Sequence, residues 1–468
     1  MSEGMRNIPS VDQLLSRVET AVLLKRYRRD YVVSLVRRVL ADLRRELRDG
    51  DGMVEREVLL KRAVAELERA IAREGEPSLK RVINGTGVVL HTGLGRAPLP
   101  AAALEALQQA GENYCNLEFD LEEGKRGSRL SHIEGLVCSL SGAERAAVVN
   151  NNAAAVMLML NSLARDREVI VSRGQLVEIG GSFRIPDVIV ASGARICEVG
   201  TTNRTHLRDY RAAIGEQTAA VLVVHPSNYQ VRGFTAGVGL DELSPLCRDA
   251  RIPLIYDLGG GALVDLGEWN LPTEPVVGES LKRGADLVSF SGDKVLGGPQ
   301  AGIIAGSRDL LQQIVENPMM RALRCDKLTL AALEATLRLY RLTPADMREA
   351  QPTLRMMGEE WERLETRGKR LLELLTEGVL CELQAELQRS QAQAGSGALP
   401  LEELPSLAVC LRPLGRSVET LARQLRLDRE AVVGRIWRDS LLLDMRTVRD
   451  DEVEGIARAL QRAVAEKI

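Results

Sequence analysis

Apolar positions fall into three textures along this 468-residue chain. From residue 11 to 75 they recur at helical spacing. Leu14, Leu15, Val18, Ala21, Val22 and Leu23 make one stripe, and Val32, Val33, Leu35, Val36, Val39 and Leu40 continue it. The run Arg48-Asp-Gly-Asp-Gly52 breaks the pattern. A second helix is predicted from Met53 to Ala72, closing near Gly75 and Pro77.

From Arg81 short apolar runs alternate with helical stretches. Ala146–Val149, Val169–Ser172, Val188–Ala191, Ala220–His225, Leu254–Tyr256 and Leu287–Phe290 read as strands, with helical patterns between most of them. That alternation predicts a parallel-rich sheet covered by helices on both faces. Long helical patterns follow at Leu330–Leu342 and Leu354–Leu374, then a Gly/Ala/Gln-rich break at Ser390–Leu399. The tail (Ser406–Leu411, Val418–Leu425, Leu441–Asp444, Glu452–Ala465) reads as a small α/β unit. The expected organisation is a helical domain over 1–78, a core over 79–340 and a small C-terminal domain over 341–468.

Composition narrows the function. With 45% hydrophobic and 27% charged residues the chain is of globular type. A net charge of −3 provides no global attraction to nucleic acid, so any such affinity needs a local patch. One candidate lies between residues 17 and 48. Arg17, Lys25, Arg26, Arg28, Arg29, Arg37, Arg38, Arg44, Arg45 and Arg48 outnumber Glu19, Asp30, Asp42 and Glu46. This is either a solvated helix face or a surface for phosphates. Aromatics are only 3%, which argues against a base-stacking sheet. No run approaches membrane length, and the N-terminus lacks a signal-peptide core, so no membrane partner is expected. Seven scattered cysteines without a CxxC pair, and four dispersed histidines, fit a reducing cytoplasm and present no metal site.

Three segments carry chemistry. In Ser289-Phe-Ser-Gly-Asp-Lys294 a lysine sits just past a buried strand, in a glycine-rich turn. Alone it reads as an exposed loop lysine. In Leu254-Ile-Tyr-Asp257-Leu-Gly-Gly-Gly261 an apolar strand ends in an acid. In Val148-Val-Asn150-Asn-Asn-Ala153 a strand runs through small polar residues into a helix, whose N-terminus suits a phosphate dianion, or is merely capped by asparagine. Phosphate cradle, then acid, then lysine is the order of a fold-type-I, aminotransferase-like enzyme using pyridoxal 5'-phosphate. The acid holds the pyridinium nitrogen and the lysine forms the Schiff base. Cofactor-binding candidates are thus Lys294, Asp257, Asn151, Asn152 and Ala153.

Longer motifs carry a more specific resemblance. Arg81-VINGTGVVLHTGLGRAPL, Tyr114-CNLEFDLEEGKRGSR, Glu144-RAAVVNNNAAAVMLML, Ser172-RGQLVEIGGSFRIPD, Gly200-TTNRTHLRDY, His225-PSNYQVRGFT, Tyr256-DLGGG, Phe290-SGDKVLGGPQAGII and Met320-RALRCDKL span about residues 80–345, and Leu441-LLDMRTV follows in the tail. The chain resembles the bacterial selenocysteine synthase family, with Gln175 a minor departure where an acid is common. The resemblance implies conversion of seryl-tRNA(Sec) to selenocysteyl-tRNA(Sec) through an aminoacrylyl-tRNA, with selenophosphate as donor. It implies that Arg96, Arg321 and Arg324 bind selenophosphate, that Asp293, beside Lys294, assists proton transfer in catalysis or positions selenophosphate, and that Asn228 contacts the cofactor ring or its hydroxyl. His225 is expected to pack at a strand end. The family further implies a homo-oligomer, a decamer built as a pentamer of dimers, and a role for the N-terminal helices in gripping tRNA.

Three rivals remain. A lyase acting on a free small amino acid shares the core but has no use for the basic helical domain. A transcription regulator would need a winged helix-turn-helix and a long linker, which residues 1–80 do not suggest. A catalytically silent tRNA-binding relative would not need Lys294 and Asp257.

Overall fold

The computed structural model of the chain describes residues 7–49, 55–179, 183–226, 229, 231, 233–269, 271, 274–395 and 403–465. Two compact units are separable, residues 1–81 and 82–468.

The first unit is helical. Ser10 accepts from the Gln13 amide while the Gln13 side chain accepts from the Ser10 amide, a reciprocal cap that starts helix Val11–Leu15. Helices Val18–Arg26, Arg29–Asp49 and Arg56–Gly75 follow. Val32, Leu35, Val36, Val39, Leu40 and Leu43 lie three and four apart on one face of Arg29–Asp49. They share a core with Leu14 and with Ala63, Leu67 and Ile71 of Arg56–Gly75. The break at Gly50–Gly52 lies outside the described residues.

The second unit contains two main sheets, whose strands we number along the chain. β1 (Ile83–Gly85) belongs to the smaller one. The larger comprises β2 (Arg145–Val149), β3 (Glu168–Ser172), β4 (Arg195–Val199), β5 (Thr218–Val224), β6 (Leu254–Gly259), β7 (Leu287–Ser291) and β8 (Gly302–Gly306). Their order is β2-β8-β7-β6-β5-β3-β4, and only β8 runs antiparallel. Residues alternate between two buried layers, as a sheet covered on both faces requires. Ala146, Val148, Val288 and Ile303 pack into one core; Ala147, Val149, Leu287 and Ile304 pack into the other.

Two strand assignments are corrected. Val188–Ala191 is the end of helix Ile185–Ala191, and the strand lies just after it at β4. β8 was missed. The smaller sheet takes β1, β9 (Glu386–Gln393), β10 (Glu403–Leu411), β11 (Val432–Trp437) and β12 (Ser440–Asp444) in the order β1-β11-β12-β10-β9. Part of the expected break at Ser390–Leu399 is therefore strand. The pattern Leu354–Leu374 is two helices, Pro352–Met357 and Trp361–Glu373. The small sheet has its own core, including Leu407, Val409, Leu441, Leu443, Ile456 and Leu460.

Candidate active site at the strand ends

The parallel strands β2, β6 and β7 end on the same side of the sheet, the place where open α/β sheets receive ligands. β7 finishes at Ser291, and Gly292, Asp293 and Lys294 form the following turn. That turn is fixed from three directions. The Gly292 amide donates to Ala301 O at 2.8 Å, Gly298 to Gly292 O at 2.8 Å, and Gly297 to Lys294 O at 2.9 Å. Beneath it, Leu296 O accepts from Tyr340 Oη at 3.0 Å and from Gln351 Nε2 at 2.8 Å. The lysine expected from sequence to be either loop decoration or catalytic is buried, at 6% exposure.

Asp257, 5% exposed, lies in β6 opposite Ser289 of β7. Its Oδ1 accepts from Asn152 Nδ2 at 2.7 Å, from the Gly259 amide at 3.1 Å and from Ser289 Oγ at 3.2 Å. Burial pushes this carboxyl up; those three donors and the Lys294 charge oppose the shift. Burial pushes the Lys294 ammonium down, helped by the Arg96 charge and opposed by Asp257, Asp293 and Glu274. A lysine biased toward its neutral form is a better nucleophile toward a carbonyl. A buried carboxylate gains most from a cation brought to it.

The turn after β2 feeds helix Asn152–Ala164. Asn151 Oδ1 accepts from the Ala154 amide at 2.9 Å, so this residue is the helix cap. The Asn152 side chain, read from sequence as part of a phosphate cradle, is turned to Asp257 instead. Its Oδ1 is buried without a hydrogen-bond partner among the described residues. What remains for an anion are the main-chain amides of Asn152 and Ala153, which make no hydrogen bond among the described residues. The turn lies directly over the start of β8: a Cβ on Gly302 would stand 2.1 Å from Asn151 O. A buried acid, a buried lysine whose ammonium is pushed down by burial, an orphaned acceptor and free helix amides together fit pyridoxal phosphate.

The three predicted arginines fall into two groups. Arg96 Nη1 donates to Asp293 Oδ2 at 2.8 Å, beside Lys294. Its backbone is left-handed, with φ +62°, directly after Gly95 at φ +91°. A side chain is rarely tolerated there, so the surroundings hold it in place. Arg321 and Arg324 line a cavity of about 460 Å³ with Glu118, Arg126, Ser128 and Arg129. Glu118 accepts from Arg126 and Arg129 and forms a 3.5 Å pair with Arg324. Arg129 first and Arg126 after it hold its carboxyl below the usual range. The cavity adjoins the turn after β2, since Asn150 donates its amide to Leu323 O at 2.9 Å and Val149 bridges Arg324. Arg96 and the Arg321/Arg324 group thus stand beside β7 and β2, with β8 between.

Residues 82–449 match the family described as L-seryl-tRNA selenium transferase, and residues 5–44 match selenocysteine synthase N terminal. The L-seryl-tRNA(Sec) selenium transferase of Geobacter metallireducens is 49% identical over 97% of this chain and 98% of its own. That of Methylocella silvestris is 47% identical over 96% of each. The chain belongs to the L-seryl-tRNA selenium transferase family. Among solved structures, D-glucosaminate-6-phosphate ammonia-lyase superposes with a TM-score of 0.56 at 19% identity. It covers 85% of this chain and 98% of the lyase. That likeness concerns the fold alone, the aminotransferase-like α/β arrangement expected from the sequence.

Sequence reasoning on this selenium transferase family member missed Ser289, Glu118, Arg126 and Arg129. All four lie inside motifs already singled out; Glu118 pairs with Arg126 and Arg129 within one motif, whereas Ser289 meets Asp257 from the neighbouring strand and Arg129 also donates to Cys325 O. Gln175 accepts from the Val224 amide at 3.2 Å and so ties the loop after β3 to the end of β5. His225 is half-buried, its amide bonded to Asp257 O at 2.8 Å, and burial pushes its imidazole down. It directly follows β5, at a strand end as expected. Asn228 lies outside the described residues.

Proposed function

We propose that this chain converts L-seryl-tRNA(Sec) to L-selenocysteyl-tRNA(Sec), with pyridoxal 5'-phosphate as cofactor and selenophosphate as selenium donor. The observation that carries the reading is the buried Lys294 beside Asp257, in a chain that matches the family at both its N-terminal segment and its core. Bound at the strand ends, the cofactor supplies an electron sink for the Cα–H bond of the seryl group.

The chain's own residues do the rest. Lys294 anchors the cofactor and is the base that takes and returns the Cα proton. Asp257 keeps the ring nitrogen protonated, and Asn152 and Ser289 hold Asp257 in position. The amides of Asn152 and Ala153, behind the Asn151 cap, take the phosphate. Asn228 is assigned to contact with the cofactor ring or its hydroxyl. The proton taken from Cα leaves with the Cβ hydroxyl as water, and Asp293, held by Arg96, assists this transfer or positions the selenophosphate. Arg96, Arg321 and Arg324 bind the selenophosphate anion, for which planar guanidinium donors are suited. Selenium then bonds to Cβ while a proton returns to Cα, and water cleaves the Se–P bond, so that the phosphoryl group leaves as phosphate.

The N-terminal unit is assigned to the tRNA. Lys25, Arg26, Arg28, Arg29, Arg37, Arg44 and Arg48 are exposed and make no ion pair among the described residues. The active form is assigned as a homo-oligomer, a pentamer of dimers, in the cytoplasm. No helix among the described residues is long and apolar enough to cross a membrane. Incubation with seryl-tRNA(Sec) and selenophosphate should yield selenocysteyl-tRNA(Sec). Turnover of free serine or cysteine, with no change in the charged tRNA, would instead establish the small-amino-acid lyase.

A further inference from the structure

The segment that ends at Arg96 begins in the small C-terminal sheet. Ile83–Gly85 pairs with Val432–Gly434 at one edge of that sheet. Only a few residues later the same segment is bonded to the opposite edge. Gln393 donates its amide to Gly87 O at 2.8 Å, Val89 to Gln393 O at 2.9 Å and Leu90 to Ala394 O at 2.7 Å. Between these attachments the chain crosses the sheet at Gly87, with φ +77°.

The crossing point is clamped. Thr447 Oγ1 accepts from the Gly87 amide at 3.1 Å. Asp444 lies so close that a Cβ on Gly87 would meet its carboxyl at 2.9 Å. Asp444 is itself fixed by Ser390 Oγ at 2.6 Å, Ser406 Oγ at 2.7 Å and the Arg446 amide at 3.0 Å. Beyond the clamp, Val89 and Leu90 are buried. His91 O then accepts from the amides of Leu94 and Arg96, both at 3.1 Å, closing the turn that sets Arg96 on Asp293.

We propose that Thr447 and Asp444 are positioning residues for the active site, clamping Gly87 so that the 88–95 segment delivers the Arg96 guanidinium to Asp293. The motif Leu441-LLDMRTV thereby acquires a role at a site its residues do not touch. This rests on the reading of Lys294 as the cofactor lysine.

The test uses the full-length, cofactor-loaded protein and the pH titration of its lysine–cofactor absorption band. Arg96, Asp257, Asp293 and Glu274 are the charged groups bearing on Lys294. Withdrawing Arg96 removes a cation and leaves Asp293 unpaired, so both changes favour the protonated nitrogen and raise the midpoint. Thr447→Val should move it up by roughly half a unit, a part of the ~1–3 units a close charge commands. Thr447→Ser should restore it. In an Arg96→Ala background, which is itself shifted up, Thr447→Val should add nothing, the non-additivity expected of a shared path. Asp444→Asn is the second variant should Thr447→Val not fold. A wild-type midpoint in the folded clamp variants or in Arg96→Ala overturns the proposal. So does an equal shift with and without Arg96. Loss of the band in Lys294→Ala verifies the underlying lysine assignment separately; its survival would remove that assignment instead.

Discussion

At the strand ends, Lys294, Asp257 and Asp293 are each less than a tenth exposed and each is surrounded by named charges or donors. On the N-terminal helices, Arg28, Arg29 and Arg37 stand in water without an ion-pair partner among the described residues. In the first region a charge is worth much because burial strips its solvent, so single atoms matter. In the second each charge is screened and replaceable, and only the number facing a polyanion counts. The difference teaches what kind of evidence each region can give: at the strand ends a single substitution is decisive, whereas the helices must be probed through salt.

The largest expected effect is at Lys294. Lys294→Ala should abolish turnover, and borohydride reduction of the wild-type protein followed by peptide mapping should label Lys294; a label on another lysine breaks the assignment. Next, Asp257→Asn should retain bound cofactor but lose elimination on the order of 10²-fold, the scale of a lost preorganised charge. Equal turnover in wild type and variant would make Asp257 structural. Arg324→Ala should lower selenium transfer roughly 10-fold, the scale of one charge-assisted contact, while leaving release of water from the seryl group nearly intact. Equal losses in both steps would show the cluster serves the aminoacyl group.

The helical unit supplies the graded test. Reversing Arg28, Arg29 and Arg37 to Glu should flatten the dependence of log K for tRNA on log salt by roughly 0.7–0.9 per lost phosphate contact. Turnover at saturating tRNA should hold. An unchanged slope would assign this face to something other than tRNA. The smallest effect is at Gln175. Removing its bond to Val224 in Gln175→Ala should cost about 1 kcal/mol in urea unfolding and leave the cofactor spectrum unaltered.

Much of this arrangement is legible in the residues, for physical reasons that also explain the gaps. Leu254–Tyr256 and Leu287–Phe290 are apolar on both faces because helices cover both sides of the sheet, and such runs announce themselves. Val188–Ala191 has the same look, but a short apolar run is equally a buried helix end, and only its neighbours decide. β4 hides because it is an edge strand carrying Arg195 and Glu198. At the site, Lys294 and Asp257 are marked by glycine-rich turns after strands. The turning of Asn152 to Asp257, and the pairing of Arg96 with Asp293, join positions 105 and 197 residues apart. No local pattern encodes such partners, and the three arginines that resemblance groups together are divided by a strand the pattern did not reveal.

Gly302 defines a different kind of site residue, one whose contribution is empty space. With Asn151 O at 2.1 Å from where its Cβ would be, even alanine has no room unless the turn lifts away. Lifting it would draw Asn152 off Asp257 and move the free amides from the strand ends. The position therefore admits one amino acid of the twenty. A variant library across β8 should tolerate exchanges among apolar residues at Ile303 and Ile304, yet return only glycine at 302, a constraint visible to selection although the residue offers no functional group to chemistry.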